Sequence, residues 1–481
     1  METKKDNLEK NKYNVKAILA VLLFGGFLSL FNETILNVAF AKLMVEMNIT
    51  ATTVQWLATG YVLIVGILVP VTAFLIHSYT TRQLFLSAMI LFLVGTLFAV
   101  FSTSFITLLI SRMIQATGTG MLIPIMMNTA LVISPPEKRG STMGLCVCAI
   151  LFGPALGPIV SGTLLQFFPW QSLFIMLVPL TLISIISAVL FLKNVSEITK
   201  PKIDYLSIVL STVGLSGIIY GISSINDINV DKLIVIVSFA VGIIGLFFFV
   251  KRQLLLKQPM LELRAFKYPI FSICVILVII TQMIVFSMNM LLPLLLQNGL
   301  NKSPLIAALV LLPSIMISGA MTPIAGKIFD KIGGRKLIPV GYLIICIFMW
   351  LLSRIGSSTS MITIATLYCF VGLGTALVGP STQTSALNQL SRDNQADGIA
   401  ITSTAIQIAA ALGSTLFVGL MSVGQNNYLN NMGNAITEQV KLQAIYSGFR
   451  YSLTAAVIIV AIGFILSLLL GYSFKKDSKQ I

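Results

Sequence analysis

Fourteen apolar runs, each of roughly 20 residues and separated by short loops, constrain this chain more than any other feature. A bilayer core of about 30 Å is crossed by about 20 helical residues. The runs cover 17–40, 51–76, 82–102, 105–130, 140–166, 170–192, 203–224, 232–250, 268–297, 304–326, 336–354, 359–388, 397–423 and 451–473. They consume about 308 positions, so no sizeable soluble domain fits between them. The longest stretch expected outside the membrane is Gly424 to Arg450, rich in Asn and Gln. The first run is too long for a signal peptide and lacks a small-residue cleavage pattern, so it reads as a retained span. Composition agrees: 57% of the chain is hydrophobic and 10% charged, against roughly 25% charged in soluble domains. Secreted disulfide scaffolds, disordered regulators and soluble enzymes are excluded together.

The net charge of +15 does not point to nucleic acid, because Lys and Arg sit in short loops and not along one polar face. With the N-terminus placed inside, the inner side receives 24 of the 31 cations, the outer side 6, and Arg112 lies within a span. That asymmetry predicts cytoplasmic termini at both ends. The five cysteines all fall within apolar runs, as small buried hydrophobes do. The single histidine, His77, leaves little scope for metal-dependent or His-dependent catalysis.

The most basic inner loop, 251–267, follows the eighth span, and six spans come after it. The expected plan is a cytoplasmic tail at 1–16, a six-helix bundle at 17–192, two accessory spans at 203–250, the basic loop, a second six-helix bundle at 268–473 and a tail at 474–481. Two related halves with a helical pair inserted between them suit a transporter.

Charge within lipid costs at least a few kcal/mol and by default faces the protein interior or a cavity. Glu33 is the one carboxylate well inside a predicted span, and Arg112 the one deeply embedded cation. Each lies seven residues from the outer end of its span, about 10 Å deep. They are expected to face one cavity and pair, as a proton-sensitive site or as a static tie between helices. Asn32 and Asn37 flank Glu33, and Gln115 lies one turn from Arg112. Gln282 and Asn289 share a face of span 9, where Met283, Phe286 and Met288 suggest a soft apolar wall for amphipathic ligands. Each polar residue taken singly is equally readable as interhelical glue.

Four local patterns resemble the major facilitator superfamily, specifically its fourteen-span drug:proton antiporter group and, within it, the lincomycin-resistance type of exporter. In span 5, Gly144, Gly153, Pro154, Gly157, Pro158, Ser161 and Gly162 reproduce the antiporter motif, with Ser161 in place of a glycine. Glycines four apart allow close helix approach, and prolines bend the helix and free a carbonyl. In span 4, Leu108 to Gly120 resembles the proton-linked motif centred on Arg112 and Gln115. In span 1, Asn32 to Ala39 resembles the first-span signature, but Asn32 holds the place of the usual Asp and Glu33 follows it. Gln55, Trp56, Thr59 and Tyr61 in span 2 also fit the group. The cytoplasmic gate motif is carried in the second half by Gly326, Asp330, Lys331, Gly333, Arg335 and Lys336. An acid flanked by cations there can form a breakable latch with a neighbouring helix terminus. The first-half copy is eroded: Ala73 replaces the glycine, His77 the Asp, and Arg82 keeps its charge. His77 reads either as a pH-sensitive substitute or as a solvated loop histidine.

The resemblance implies an all-α polytopic membrane protein of the bacterial plasma membrane, with the major facilitator fold and no enzymatic activity. It implies a monomer that exports hydrophobic drugs in exchange for protons, with no cofactor beyond the proton gradient. Glu33, Arg112 and Gln115 are then the coupling residues. Asn32, Asn37, Trp56, Tyr61, Gln282, Phe286 and Asn289 would line the substrate cavity, span 5 would seal it, and Asp330 with Arg335 would latch it. A transporter of a physiological solute or lipid, a proton symporter included, is the competing reading.

Overall fold

The computed structural model describes residues 14–49, 51–195, 198, 204–224, 230–256, 259–300, 302, 304–356, 359–391, 394–432 and 437–477. Among them are fourteen helices long and apolar enough to cross a membrane. They are α1 (Val15–Ile35), α2 (Ala51–Ser78), α3 (Thr81–Val100), α4 (Phe105–Ile133), α5 (Arg139–Phe167), α6 (Ser172–Phe191), α7 (Tyr205–Ser224), α8 (Lys232–Leu255), α9 (Pro269–Leu294), α10 (Pro304–Ile332), α11 (Gly334–Leu352), α12 (Met361–Leu387), α13 (Gln395–Met432) and α14 (Glu438–Asp477). Lipid offers no hydrogen bonds, so a spanning chain must satisfy its backbone internally, and helices do so. Their starts are marked by polar caps: Thr80 with Gln83 closes a capping box on α3, and Ser104 with Thr107 does so on α4.

Two cores form. One gathers buried side chains of α1–α6, with Phe85, Trp170 and Phe174 among them; the other gathers those of α9–α14, including Phe271, Tyr342 and Phe417. The bundles meet where α5 packs on α10 and α12, and where α2 packs on α13. At the end carrying Arg82, Lys138, Lys251 and Lys331, here called the basic end, Leu387, Ala396 and Ile399 of the second half join the first core.

The accessory pair is asymmetric. Helix α7 lies along the α2/α13 seam and touches both bundles, whereas α8 packs on α7 and turns Leu233, Ile236, Ile243 and Phe247 outward. The two approach closely because Gly217 and Gly242 face each other; a methyl group on Gly217 would sit 2.7 Å from the Gly242 Cα.

Two expectations fail at the end opposite the basic one. Span 1 is not one helix to Phe40: α1 stops at Ile35, a 3₁₀ turn covers Asn37–Ala39, and a short helix runs Phe40–Glu46. Nor is Gly424–Arg450 a long loop. Helices α13 and α14, of 38 and 40 residues, reach about 57 and 60 Å at helical rise, well beyond a bilayer core of about 30 Å. Their polar overhangs pack together, with Gly424 against Gly448 and the Tyr428 hydroxyl on Gln443. Asn and Gln report exit from lipid, not loss of helix.

Candidate functional site

The break in α1 and the buried arginine explain each other. A helix end leaves its last carbonyls without partners, and those of Asn32 and Glu33 are among them. Arg112 of α4, 0% exposed, donates from Nη1 to the Asn32 carbonyl at 3.0 Å and from Nη2 to the Glu33 carbonyl at 3.3 Å. A cation at a helix C-terminus also meets the negative end of its dipole. The guanidinium lies 4.1 Å from the centroid of the Tyr61 ring, a cation–π contact.

From there a polar network crosses the first bundle. Arg112 Nη1 also donates to Gln115 Oε1 at 3.2 Å, and Gln115 Nε2 donates to Thr96 at 2.9 Å. The Asn32 amide donates to Gln115 Oε1 at 3.3 Å and to the Tyr61 hydroxyl at 3.2 Å. That hydroxyl also bonds Thr119 at 2.5 Å and donates to the Ser29 carbonyl at 3.3 Å. Asn32 Oδ1 and Arg112 Nε are buried without a hydrogen-bond partner. Small residues make the crossing possible: a methyl on Gly95 would lie 2.7 Å from the Gln115 backbone N.

Glu33 stands apart from this network. One residue around a helix is about 100°, so Asn32 points inward while Glu33 is half-buried. Among the described residues its carboxylate takes part in no ion pair within 4.0 Å. The expected Glu33–Arg112 side-chain pair is therefore replaced by arginine-to-carbonyl bonds. Helix α1 also ends two residues beyond Glu33, not seven.

The remaining cavity candidates divide. On α9, Gln282 and Phe286 are half-buried and Asn289 is exposed, accepting from the Tyr368 hydroxyl at 3.3 Å. Met283 and Met288 are buried in the second core, so they do not form the expected apolar wall. Trp56 stacks on Tyr220 of the accessory helix α7, with ring centroids 5.9 Å apart. Asn37 is exposed on the 3₁₀ turn, and the side chain of Gln55 lies outside the described residues.

In α5 the motif glycines face two partners. Gly153 and Gly157 abut α1 at Leu30–Phe31 and Thr34–Ile35, and the Pro154 carbonyl accepts from the Thr34 hydroxyl at 3.5 Å. Gly144 abuts Thr322 and Pro323 of α10, across the bundle boundary. Gly162 faces open space, and Pro158 is half-buried.

At the basic end Asp330 closes the same seam. Its Oδ1 accepts from the Gly140 N–H at 2.7 Å and its Oδ2 from the Ser141 N–H at 2.9 Å. Both amides lie in the first turn of α5, so a carboxylate from one bundle caps a helix of the other. The acid meets a neighbouring helix terminus through its backbone amides, while Arg335, Lys331 and Lys336 are exposed. Gly326 lets the helices touch, since a methyl there would strike the Gly140 carbonyl, and Gly333 turns the chain into α11 at φ +76°. Arg139 adds a bond to Asn388 at 3.1 Å.

Sequence reasoning missed one further interbundle contact. His77 does not lie in a loop; it occupies the last turn of α2, with Nε2 3.8 Å from Oδ2 of Asp397 on α13. Asp397, in the first turn of α13, is 6% exposed.

Comparison with known proteins agrees with this architecture. The Major Facilitator Superfamily profile matches residues 22–414. The chain is 42% identical to lincomycin resistance protein LmrB of Bacillus subtilis, over 97% of each chain. It is 40% identical to the protein of that name from Listeria innocua, over 94% of this chain and 96% of that one. Among solved structures, the proton:xylose symporter XylE superposes with a TM-score of 0.65 at 16% identity, covering 95% of both chains. The human organic anion transporter MFSD10 does so at 0.63 and 11%, covering 94% of this chain and 99% of that one. With its fourteen spans and two packed bundles, the chain belongs to the major facilitator superfamily, the multi-pass membrane transporters of small molecules.

Proposed function

We propose that this protein exports hydrophobic and amphipathic drugs across the bacterial plasma membrane in exchange for protons, as a monomer with both termini in the cytoplasm. Drug efflux is supported by the names of its relatives: near-full-length lincomycin resistance proteins and a more distant one, 24% identical over 81% of this chain, a multidrug resistance protein B homolog of Mycobacterium tuberculosis. Proton coupling rests on one observation: a carboxylate, Glu33, half-buried at the broken end of α1, directly beside the carbonyls that Arg112 holds.

Glu33 is the proton carrier in this reading. Protonation removes the charge that Arg112 feels, and so changes how firmly Arg112, Gln115 and Asn32 tie α1 to α4. A ligand shifts a conformational equilibrium only by its differential affinity for the two states, so drug and proton must favour different states or exclude each other. Gln282, Phe286 and Asn289 supply the mixed polar and aromatic surface for the drug.

The test is purified protein in acid-loaded liposomes carrying a lumenal pH dye. Added lincomycin should release protons. Glu33→Gln, fixed in the neutral state, should still bind lincomycin, with shifted affinity, yet lose proton release at least tenfold. Wild-type proton flux in Glu33→Gln would end the assignment, and lincomycin entering together with protons would replace exchange by symport.

A further inference from the structure

His77 and Asp397 meet where the first-half gate motif has lost its acid. The two halves are related, so the Asp330 latch has a counterpart position at the opposite seam: the end of α2 facing the start of α13. In the second half, α10 supplies a carboxylate and α5 supplies backbone N–H groups. In the first half the polarity is reversed. Helix α2 supplies an imidazole, and α13 carries the carboxylate in its own first turn, 3.8 Å away.

The surroundings make this a built site. The Asp397 side chain is 9% exposed and that of His77 22%. Glu262, from the loop joining the two halves, lies close enough to act on the Asp397 carboxylate electrostatically. Three covalently distant segments thus converge on one carboxylate.

We propose that His77 and Asp397 form a second proton-binding site, a latch that holds the basic end shut when His77 is protonated and slackens when it is neutral. Imidazole is the side chain whose ordinary titration falls between pH 5 and 8. Protonated, it makes a charge-assisted bond across the seam; neutral, it leaves one hydrogen bond at most. On the described parts of the elements packed against α2 and α13, other charged groups near this end have partners of their own, and the side chains of Lys475, Lys476 and Asp477 on α14 lie outside the described residues. Glu262 pairs with Arg264 at 3.5 Å, Asp204 with Arg252 at 2.8 Å, and Arg82 donates to the Val189 carbonyl at 2.9 Å. Lys16, Lys251 and Lys267 are exposed. Helices α9 and α12 carry no charged residue, and the charge of α4 is Arg112, towards its other end. Arg392 and Asp393 lie outside the described residues.

A proton leaving His77 on this side would therefore favour opening on this side. The inference needs only the rocking of two bundles, and stands or falls separately from Glu33 and from any substrate.

The experiment measures the distance between spin labels on Lys138 and Lys331, across the basic end, from pH 5 to 8. It uses the full chain with its five cysteines replaced and Glu33→Gln in place, which removes the other candidate proton site. The parent should show a roughly fivefold rise in the open-to-closed ratio as pH rises. His77→Gln and Asp397→Asn should flatten the profile near its alkaline level, and His77→Arg should flatten it near its acid level. A parent profile without pH dependence, or one that survives in either His77→Gln or His77→Arg, overturns the proposal.

Discussion

The two seams at the basic end are closed by different chemistry. At α5/α10, Asp330 accepts from two backbone amides at 2.7 and 2.9 Å, a contact with no imidazole in it. At α2/α13, the contact is between two side chains, one of them an imidazole, at 3.8 Å. The accessory helix α7 covers only the second seam. The comparison teaches that related halves need not carry equal switches: one seam holds with constant strength, while the other can be set by pH.

The largest expected effect lies on the constant side. Asp330→Ala removes the acceptor for two helix amides and the negative charge at the α5 N-terminus. Charge-assisted bonds of this kind contribute about 2 kcal/mol in total once solvent exposure is allowed for, or roughly thirtyfold in the closed-to-open ratio. Labels at Lys138 and Lys331 should report a mainly open basic end at every pH. If Asp330→Ala stays as closed as the parent, the amide cap contributes nothing to the seam.

A smaller effect separates the bond from the close approach beneath it. Alanine in place of Gly140 gains about 1 kcal/mol of helix propensity, in the closed and open states alike. Its methyl, however, would meet Asp330 Oδ1 at 2.5 Å and the Gly326 carbonyl at 2.7 Å in the closed state alone. Overpacking of this kind costs about 1–3 kcal/mol. Gly140→Ala should therefore open the basic end roughly tenfold without lowering the thermal unfolding temperature. A closed Gly140→Ala protein would show that the helices can separate slightly and keep the amide bonds.

How legible these features are in the residues depends on their range. Arg112 and Asp330 stand out in sequence because a charge amid apolar residues, or a motif with fixed glycine spacing, has few other uses. The end of α1 does not stand out. Ile35 to Ala39 contains no Gly or Pro, and the helix stops where Arg112, 80 positions further on, takes the Asn32 carbonyl. Asp397 was hidden for a related reason: an acid in the first turn of a helix is usual, and only the packing of α2 against α13 buries it. On α9 the residue types do not tell direction: Met283 and Met288 are buried in the second core, while Gln282 and Phe286 stay half-buried. Local chemistry is readable; which helix stands opposite is not.

The smallest effect is expected at a third charged contact, which bounds the pH argument. Asp204, just ahead of α7, accepts from Arg252 Nε at 2.8 Å and Nη2 at 3.0 Å, and from the Ser207 hydroxyl. The Arg252 bonds hold its carboxyl down at about 2. A carboxyl depressed in the folded state contributes stability that is fully present above its ordinary value near 4 and fades as pH falls towards 2. Between pH 5 and 8 that contribution is constant. Arg252→Ala should therefore shift the opening profile by less than about twofold at any pH and leave its midpoint where it was. A moved midpoint would mean that the accessory pair, lying along the α2/α13 seam, transmits charge to the His77 latch, and the two seams could no longer be treated as independent.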